Sequence, residues 1–438
     1  MLIRAFICIV PTRLFALKHG AKLVWSPEIV DKAILHTERV VDRTFLLPPA
    51  LHSLTHIYSA STGVVSYNGA SKAIFTTHPL ERPYLIYQIG SSDPQLAVQA
   101  AQTVLSDISG VDLNCGCPKP FSTHAGMGAA LLSTPDKLCA ILTALREALP
   151  REISVSAKIR LLPSQEDTIE LVKRIVGCGV DAITVHCRTR NMRPREKALV
   201  ERMKEVVEAI EETGRGVAVI ENGDCVSWED AKRIRGFTLA HSCMIATAAE
   251  ANPTCFSPTP LSDLERTFVP GYLKLARYLC NHWSSTKFCV TQFKGVYKDV
   301  KKAERQKVKD MLTKAKRYED VDEIVGSTWN GEEVLNEIRE CVEARGRDQL
   351  SEEHSRETSV TETTMSDGTT IDAEVDISGD GDLPPTTPFE TRENPEPAAL
   401  DAPKMPLNGR LKNLPALILG RDAPTPSPEG PIRGRELH

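Results

Sequence analysis

Val111-Asp-Leu-Asn-Cys-Gly-Cys-Pro118 reads as a short strand, Val111–Asn114, that breaks at Gly116 and Pro118 into a turn. Glycine supplies the backbone freedom for such a break, and proline lacks the N–H that a ladder needs. The same device, a β-forming run stopped by polar residues, recurs on both sides of this segment. Upstream stand Ile3–Val10, Leu23–Ser26 and Tyr84–Ile89; downstream stand Ser154–Arg160, Ala182–His186, Val217–Asn222 and Cys243–Ala246. Amphipathic helical stretches separate these runs, the pattern of a parallel sheet with crossover helices. Eight strands over residues 1–257 predict an α/β fold, a (β/α)8 TIM barrel, because eight is the number at which such a barrel closes on a packed interior.

Several local signals refine this outline. Asp93-Pro94 supplies a cap and a proline in the first turn of a helix, and Ser133-Thr-Pro135-Asp136 repeats the device. Asn68-Gly69, flanked by β-formers within 63–77, predicts a hairpin on a surface insertion. From Leu261 the chain turns helical without strands as far as Ala344, and Lys294–Arg317 is dense in lysine and arginine, which predicts a separate helical domain over 261–345. Residues 346–438 are rich in Ser, Thr, Glu, Asp and Pro, with Phe389 as their one aromatic. They are expected to be a disordered tail without a catalytic role.

The net charge of −5 over 438 residues argues at first against a polyanionic partner. The acid is concentrated in the tail, however, as in Thr370–Asp382, and the rest is close to neutral or mildly basic. Twelve cysteines without a zinc spacing point to a reduced intracellular chain with no metal site. The apolar start, Met1–Val10, is interrupted by Arg4 and stopped by Pro11, too short for a membrane span of about 20 residues, and reads as a buried strand.

Active groups in such a barrel lie where strands end, so polar residues that terminate apolar strands are the candidates. They are Gln88, Asn114 with Cys117, Lys158 with Arg160, His186 with Arg188, Asn222-Gly223-Asp224, and Ala246-Thr247. A lone lysine at a strand end is more often a solvated rim residue; six such strand ends together are harder to dismiss. Lys158 beside amide and imidazole groups suits a flavin, because a cation near the N1–C2 edge stabilises the reduced form. Gly223 and the small residues after the eighth strand suit backbone N–H contacts to a phosphate. Cys117, between Gly116 and Pro118, is expected on an exposed turn with its thiol poised to give up a proton. Cys115 next to it, like Cys139, Cys178 and Cys243, reads as a small buried hydrophobe.

The segment Val111–Leu132 closely resembles the signature of tRNA-dihydrouridine synthases, in particular the eukaryotic branch acting at position 20 of the D-loop. Ser156–Pro163, Thr184–Arg190, Val219–Asp224 and Glu250–Pro253 continue the resemblance, which spans roughly residues 11 to 340. It implies FMN as cofactor, NADPH or NADH as hydride donor and tRNA as substrate. It also implies Cys117 as the donor of a proton to uracil C5, opposite a hydride delivered to C6. Gln88, Lys158 and His186 match FMN-contacting positions, and Asn222–Asp224 with Ala246–Thr247 match the phosphate loops. Asn114, Lys119, Arg160, Arg188 and Arg190 stand around the same mouth as candidate tRNA contacts, and ordinary surface charge is an equal reading for each cation alone. A loop uridine is favoured because the base must leave its stack. A monomer in the cytoplasm or nucleus is expected.

The chain departs from that pattern in three places. Met1–Val10 lacks the proline–methionine turn with which members usually open, so weakened FMN retention is expected. Asp224 follows Gly223 where many members carry two glycines, and Thr247 stands where arginine is common. Two other functions compete: a small-molecule FMN pyrimidine oxidoreductase, which would turn over with free uracil, and a catalytically silent tRNA-binding relative, which would purify colourless.

Overall fold

The computed structural model describes residues 2–3, 9–42, 62–193, 195–295, 302–326 and 328–345. Its strands are β1 (Leu2–Ile3), β2 (Leu23–Trp25), β3 (Ile29–Val30), β4 (Glu38–Val41), β5 (Val65–Asn68), β6 (Ala73–Thr77), β7 (Leu85–Gly90), β8 (Gly110–Asn114), β9 (Ser154–Leu161), β10 (Ala182–Thr189), β11 (Ala218–Asn222) and β12 (Ser242–Ile245). Through the barrel region run α1 (Val10–Lys18), α2 (Asp31–Ile34), α3 (Pro94–Val104), α4 (Pro120–Thr123), α5 (Pro135–Ala148), α6 (Gln165–Gly177), α7 (Met203–Glu211), α8 (Trp228–Thr238) and α9 (Thr247–Ala251). The order β2-β1-β12-β11-β10-β9-β8-β7 is joined end to end by a β2–β7 pairing, which closes an eight-strand parallel barrel with β3 added beside β7.

The eight predicted strands all appear, with one substantial correction at the first. Among the described residues β1 covers only Leu2–Ile3, and residues 4–8 lie outside them. Val10 belongs to α1, because Pro11 takes the first turn of a helix, where its missing N–H costs nothing. The expected consequence of Met1–Val10 for flavin retention likewise falls largely outside the described residues. Asp93 caps α3 by accepting from Leu96 N at 2.9 Å. Pro135 opens α5 as expected, but Thr134 makes no side-chain cap there.

The hairpin forms too, as β5 and β6, yet it is no surface insertion. β4 joins it as a third antiparallel strand, and the turn closes from Gly69 N to Lys72 O at 2.9 Å. Tyr67 and Phe75 are buried and carry an aromatic file onto Tyr87 of β7, with ring centroids 5.6 and 5.2 Å apart. Such contacts add about 0.5–1.5 kcal/mol each beyond the area they bury.

Side chains alternate across each barrel strand. Val111, Leu113 and Cys115 join the core between sheet and helices, as do Val155, Ala157 and Ile159, and Ile183, Val185 and Cys187. The residues between them face the barrel axis, where Trp25, Ile86, Ile220 and Met244 form an apolar plug. Glu221 of β11 is out of keeping with the helix-facing layer. It is fully buried with the Cys187 and Cys243 thiols as its polar neighbours, and burial pushes its pKa up to about 8. A carboxyl whose folded pKa exceeds its unfolded value stabilises the fold below the unfolded value and loses that contribution as pH rises toward the folded one. Between roughly pH 4.5 and 8, stability is therefore expected to fall by up to about 1.4 kcal/mol per pH unit on this account. Urea titrations of Glu221→Gln across that range should show the slope removed.

Beyond the barrel come α10 (Leu264–Thr267), α11 (Val269–Tyr278), α12 (Trp283–Gln292), α13 (Lys302–Lys314), α14 (Asp322–Val325) and a helix over 331–345. They pack on α1: Phe15 meets Phe268 at 4.8 Å and Tyr272 at 5.7 Å, and the Thr12 and Tyr272 hydroxyls share a 2.6 Å hydrogen bond. Trp283, Tyr318 and Trp329 make a second aromatic cluster inside the helical region. Lys307, Lys309, Lys314, Lys316 and Arg317 are exposed on and after α13. Among the described residues no helix is long and apolar enough to cross a membrane. The tail expected over 346–438 lies outside the described residues.

Candidate active site

Strand register brings the predicted polar residues together at one end of the barrel. Gln88 lies beside Asp112, Asn114 beside Lys158, and His186 beside both Arg160 and Asn222. Gln88, Asn114 and Lys158 are buried, so each requires polar partners. A hydrogen-bonded chain supplies them for the two amides. Asp112 accepts from Ser156 Oγ at 2.8 Å and from Gln88 Nε2 at 2.6 Å. The Gln88 carbonyl accepts from Asn114 Nδ2 at 2.9 Å, and Asn114 Oδ1 accepts from the backbone N–H groups of Gly116 and Cys117, both at 3.0 Å. The turn that carries Cys117 is thus fastened to the barrel interior through four side chains.

Cys117 itself is not on an exposed turn, which corrects the expectation from its neighbours. It is 6% exposed, because Ser122 of α4, Gly128 and the Glu28 side chain close over it. Burial, followed by the charge of Glu28, pushes its thiol above the ordinary cysteine range, so it is a protonated acid at neutral pH. Cys115 is wholly buried on the opposite face of the strand, as expected. Gly128 is essential to this closure: its φ is +58°, and a Cβ there would come within 2.6 Å of the Cys117 carbonyl. An L-residue in that conformation alone costs about 1–2 kcal/mol. Gly128→Ala is expected to lower the unfolding midpoint and to displace Cys117, which thermal melts and thiol-labelling rates would register together.

The remaining candidates divide by accessibility. Lys119 and Arg190 are exposed, and Arg160 is half-buried with its Nε donating to Gly116 O at 2.7 Å. Arg188 is placed otherwise than expected. It lies within β10 and is buried, donating to Glu196 O at 2.7 Å and to Asp224 at 2.5 Å, so it is an internal brace rather than a rim cation. Burial opposes ionisation of Asp224, but Arg188 and the Ala198 N–H hold its carboxyl below the usual range. Asn222 Nδ2 donates to Met244 O at 3.1 Å. A Cβ on Gly223 would meet Ala198, Glu221 and Cys187 at 2.8 to 3.2 Å, so packing already accounts for glycine there. Ala246 precedes α9, and Thr247 is exposed as its first residue.

Sequence reasoning missed Asp112, Ser156, Glu28, Ser122 and Gly128. The first two carried a legible signal, a polar residue two positions before a predicted strand-end residue and hence on the same face. The other three, Glu28 in the loop before β3, Ser122 in α4 and Gly128 after it, close on Cys117 only in the folded chain.

The chain interior also fits a flavin. Trp25 Nε1 and Thr184 Oγ1 are buried without a hydrogen-bond partner among the described residues, and both sit on axis-facing strand positions. Thr184 is in register with Lys158, and Gln88, Asn114 and His186 stand at neighbouring strand ends, so the groups that would hold a flavin's polar edge share one rim. An opening of about 370 Å3 lies elsewhere, between α1, α11 and the helix over 331–345. Solvent-facing charges such as the Lys18–Glu337 ion pair at 2.6 Å edge it, and it holds none of the buried polar network. Among the described residues no cluster of three or more His, Cys, Asp or Glu is arranged to hold a metal.

A parallel barrel whose strand ends converge on a buried thiol and a ring of amide, ammonium and imidazole groups defines the class of protein. The family model for dihydrouridine synthase matches residues 22–343, and the chain belongs to that family. It is 42% identical over 323 residues to the Schizosaccharomyces pombe protein named tRNA-dihydrouridine(20) synthase [NAD(P)+], an alignment spanning 71% of this chain and 61% of that relative. With the Saccharomyces cerevisiae protein of the same name it shares 39% over 292 residues, 64% of this chain and 73% of the relative. A human tRNA-dihydrouridine(20a/20b) synthase-like protein is 32% identical over 213 residues, 48% of this chain and 65% of its own. Among solved structures, DHODH from Eimeria tenella in complex with ferulenol aligns at a TM-score of 0.35 and 13% identity, covering 56% of this chain and 75% of that one.

Proposed function

We propose that the chain is an FMN-dependent tRNA-dihydrouridine synthase that reduces the C5–C6 bond of a D-loop uridine, at position 20, with NADPH or NADH as the electron source. The observation that carries this reading is Cys117, a protonated thiol at the barrel mouth, fastened through Asn114 to Gln88 and Asp112. Bound FMN supplies the hydride. Cys117 supplies the proton to C5, and its burial keeps the acid intact at neutral pH. Gln88, Lys158 and His186 would hold the flavin's polar edge, where a cation at Lys158 would favour the reduced form. The loops at Asn222–Asp224 and Ala246–Thr247 are assigned to the flavin phosphate. There the Asp224 carboxylate is already engaged by Arg188 and the Ala198 N–H.

The first domain of this reading is the barrel over 1–257, and the helices over 261–345 form a tRNA-binding domain. Lys119, Arg190 and Arg160 at the mouth and the exposed lysines of α13 are its phosphate contacts, whereas Arg188 braces Asp224. A tRNA substrate would be met in the cytoplasm or nucleus, and the reading assigns the protein there. Purified protein should be yellow and should convert uridine to dihydrouridine in unmodified tRNA with NADPH, read by nucleoside mass spectrometry. Turnover of free uracil instead would select the small-molecule reading, and a colourless, inactive tRNA binder the silent one. Affinity for tRNA should also weaken steeply with salt, through release of counterions from contacted phosphates. Replacing Lys309, Lys314 and Lys316 by alanine should flatten the plot of log affinity against log salt by about 2 units. An unchanged slope removes α13 from the binding surface.

A further inference from the structure

The loop before β3 brings a carboxylate, that of Glu28, to the thiol. Glu28 Oε1 accepts from Ser122 Oγ at 3.2 Å, and Ser122 is fully buried. The same oxygen rests against Gly90 at the end of β7, where an added Cβ would stand 2.9 Å from Oε1. Gly128 leaves room for Ser122 and Cys117 to meet. Three glycine- or serine-bearing segments therefore converge to hold one acid over one thiol. Glu28 is half-buried, and setting a carboxylate against a thiol in this way is unfavourable by itself, so the arrangement calls for a reason beyond packing.

We infer that Glu28 is a positioning residue for Cys117: anchored by Ser122, its carboxylate faces the thiol and keeps the proton on sulfur until the uracil C5 takes it. This rests on the proposed reading of Cys117 as proton donor. At transfer the S–H bond breaks, a C5–H bond forms and a thiolate is left. A second negative charge beside Glu28 is disfavoured, so the thiolate takes a proton from solvent and the acid is restored before the next tRNA. Other groups around the thiol do not substitute for Glu28. Asn114 binds the Cys117 N–H, Lys119 approaches through its backbone, and the Arg160 guanidinium is turned to the carbonyls of Gly116 and Thr189. The direction in which Glu28 moves the thiol, upward, agrees with this geometry.

The test uses full-length protein without tRNA. Iodoacetamide labelling of Cys117, followed peptide by peptide as a function of pH, gives the midpoint at which the thiolate appears. In Glu28→Gln that midpoint should fall by about one pH unit, a roughly tenfold rise in thiolate at a given alkaline pH. The alkaline limb of tRNA reduction should move down with it. Glu28→Ala, which removes the carboxylate and leaves the Ser122 hydroxyl beside the thiol, should shift the midpoint the same way, and it decides the matter if Glu28→Gln does not fold. A midpoint unchanged from wild type in either folded variant overturns the role of Glu28. Failure of the underlying reading looks different: Cys117→Ala would then reduce tRNA at the wild-type rate, whatever the labelling shows.

Discussion

Cys117→Ala is expected to bind FMN and to be reduced by NADPH as the wild type is, while tRNA reduction falls by about 10²–10⁴-fold, the usual contribution of a positioned acid. The substitution removes one sulfur from a closed turn and leaves its fastening intact, because Asn114 holds the backbone N–H of residue 117 and not its side chain. Gln88, Lys158 and His186 keep their places, so flavin spectra and the rate of NADPH oxidation should be preserved. Stopped-flow absorbance separates that reductive step from single-turnover formation of dihydrouridine. Cys115→Ala is the control, since that thiol faces the helix layer and meets no part of the site. Equal activity of the two variants on tRNA would remove Cys117 from the chemistry.

The second large effect lies in stability. Arg13 of α1 and Glu81, in the turn before β7, are 1% and 0% exposed and form a two-pronged ion pair, Nε to Oε2 and Nη2 to Oε1, both at 2.7 Å. Glu81 also accepts from Thr77 Oγ1 at 2.8 Å, and Arg13 donates to Thr76 O at 2.7 Å. Removing one partner of such a buried pair strands the other charge, at a cost of about 3–5 kcal/mol. Glu81→Ala should therefore lower the chemical-denaturation midpoint sharply. The double variant Arg13→Met with Glu81→Leu should recover most of the loss, because no charge remains buried. If the double variant were as unstable as the two single losses added together, packing around α1, and not the stranded charge, would be the cause.

How much of this was legible without a structure depended on the range of the interaction. The seven barrel strands from β2 to β12 could be located to within a residue or two at their starts, because β-branched runs stopped by polar residues are local signals, whereas the short β3 and β4 left no such signal. The strand-end set Gln88, Asn114, Lys158, His186 and Asn222 was legible for the same reason. Residues at strand ends of a parallel barrel share one rim whatever the details of packing. The first strand was misjudged because Pro11 starts a helix, and α1 reaches back to Val10. The hairpin was recognised locally, but its burial against Tyr87 depends on a neighbour in another segment.

The roles of the cations and of the thiol's surroundings were the least legible. Lys119, Arg188 and Arg190 look alike as charges near a turn, yet Arg188 pairs with Asp224, thirty-six positions away, and is withdrawn from the rim. Cys117 was expected to be exposed because glycine and proline flank it. What covers it is Glu28, which hydrogen-bonds Ser122 from ninety-four positions away. The amino-acid order alone determined the barrel, its number of strands and the identity of the polar groups at its mouth, since periodicity and turn chemistry act between near neighbours. Only tertiary structure decided which of those groups are buried, braced or free to meet a substrate. Burial and ion pairing are settled by segments that the chain brings together from far apart, and no local pattern records them.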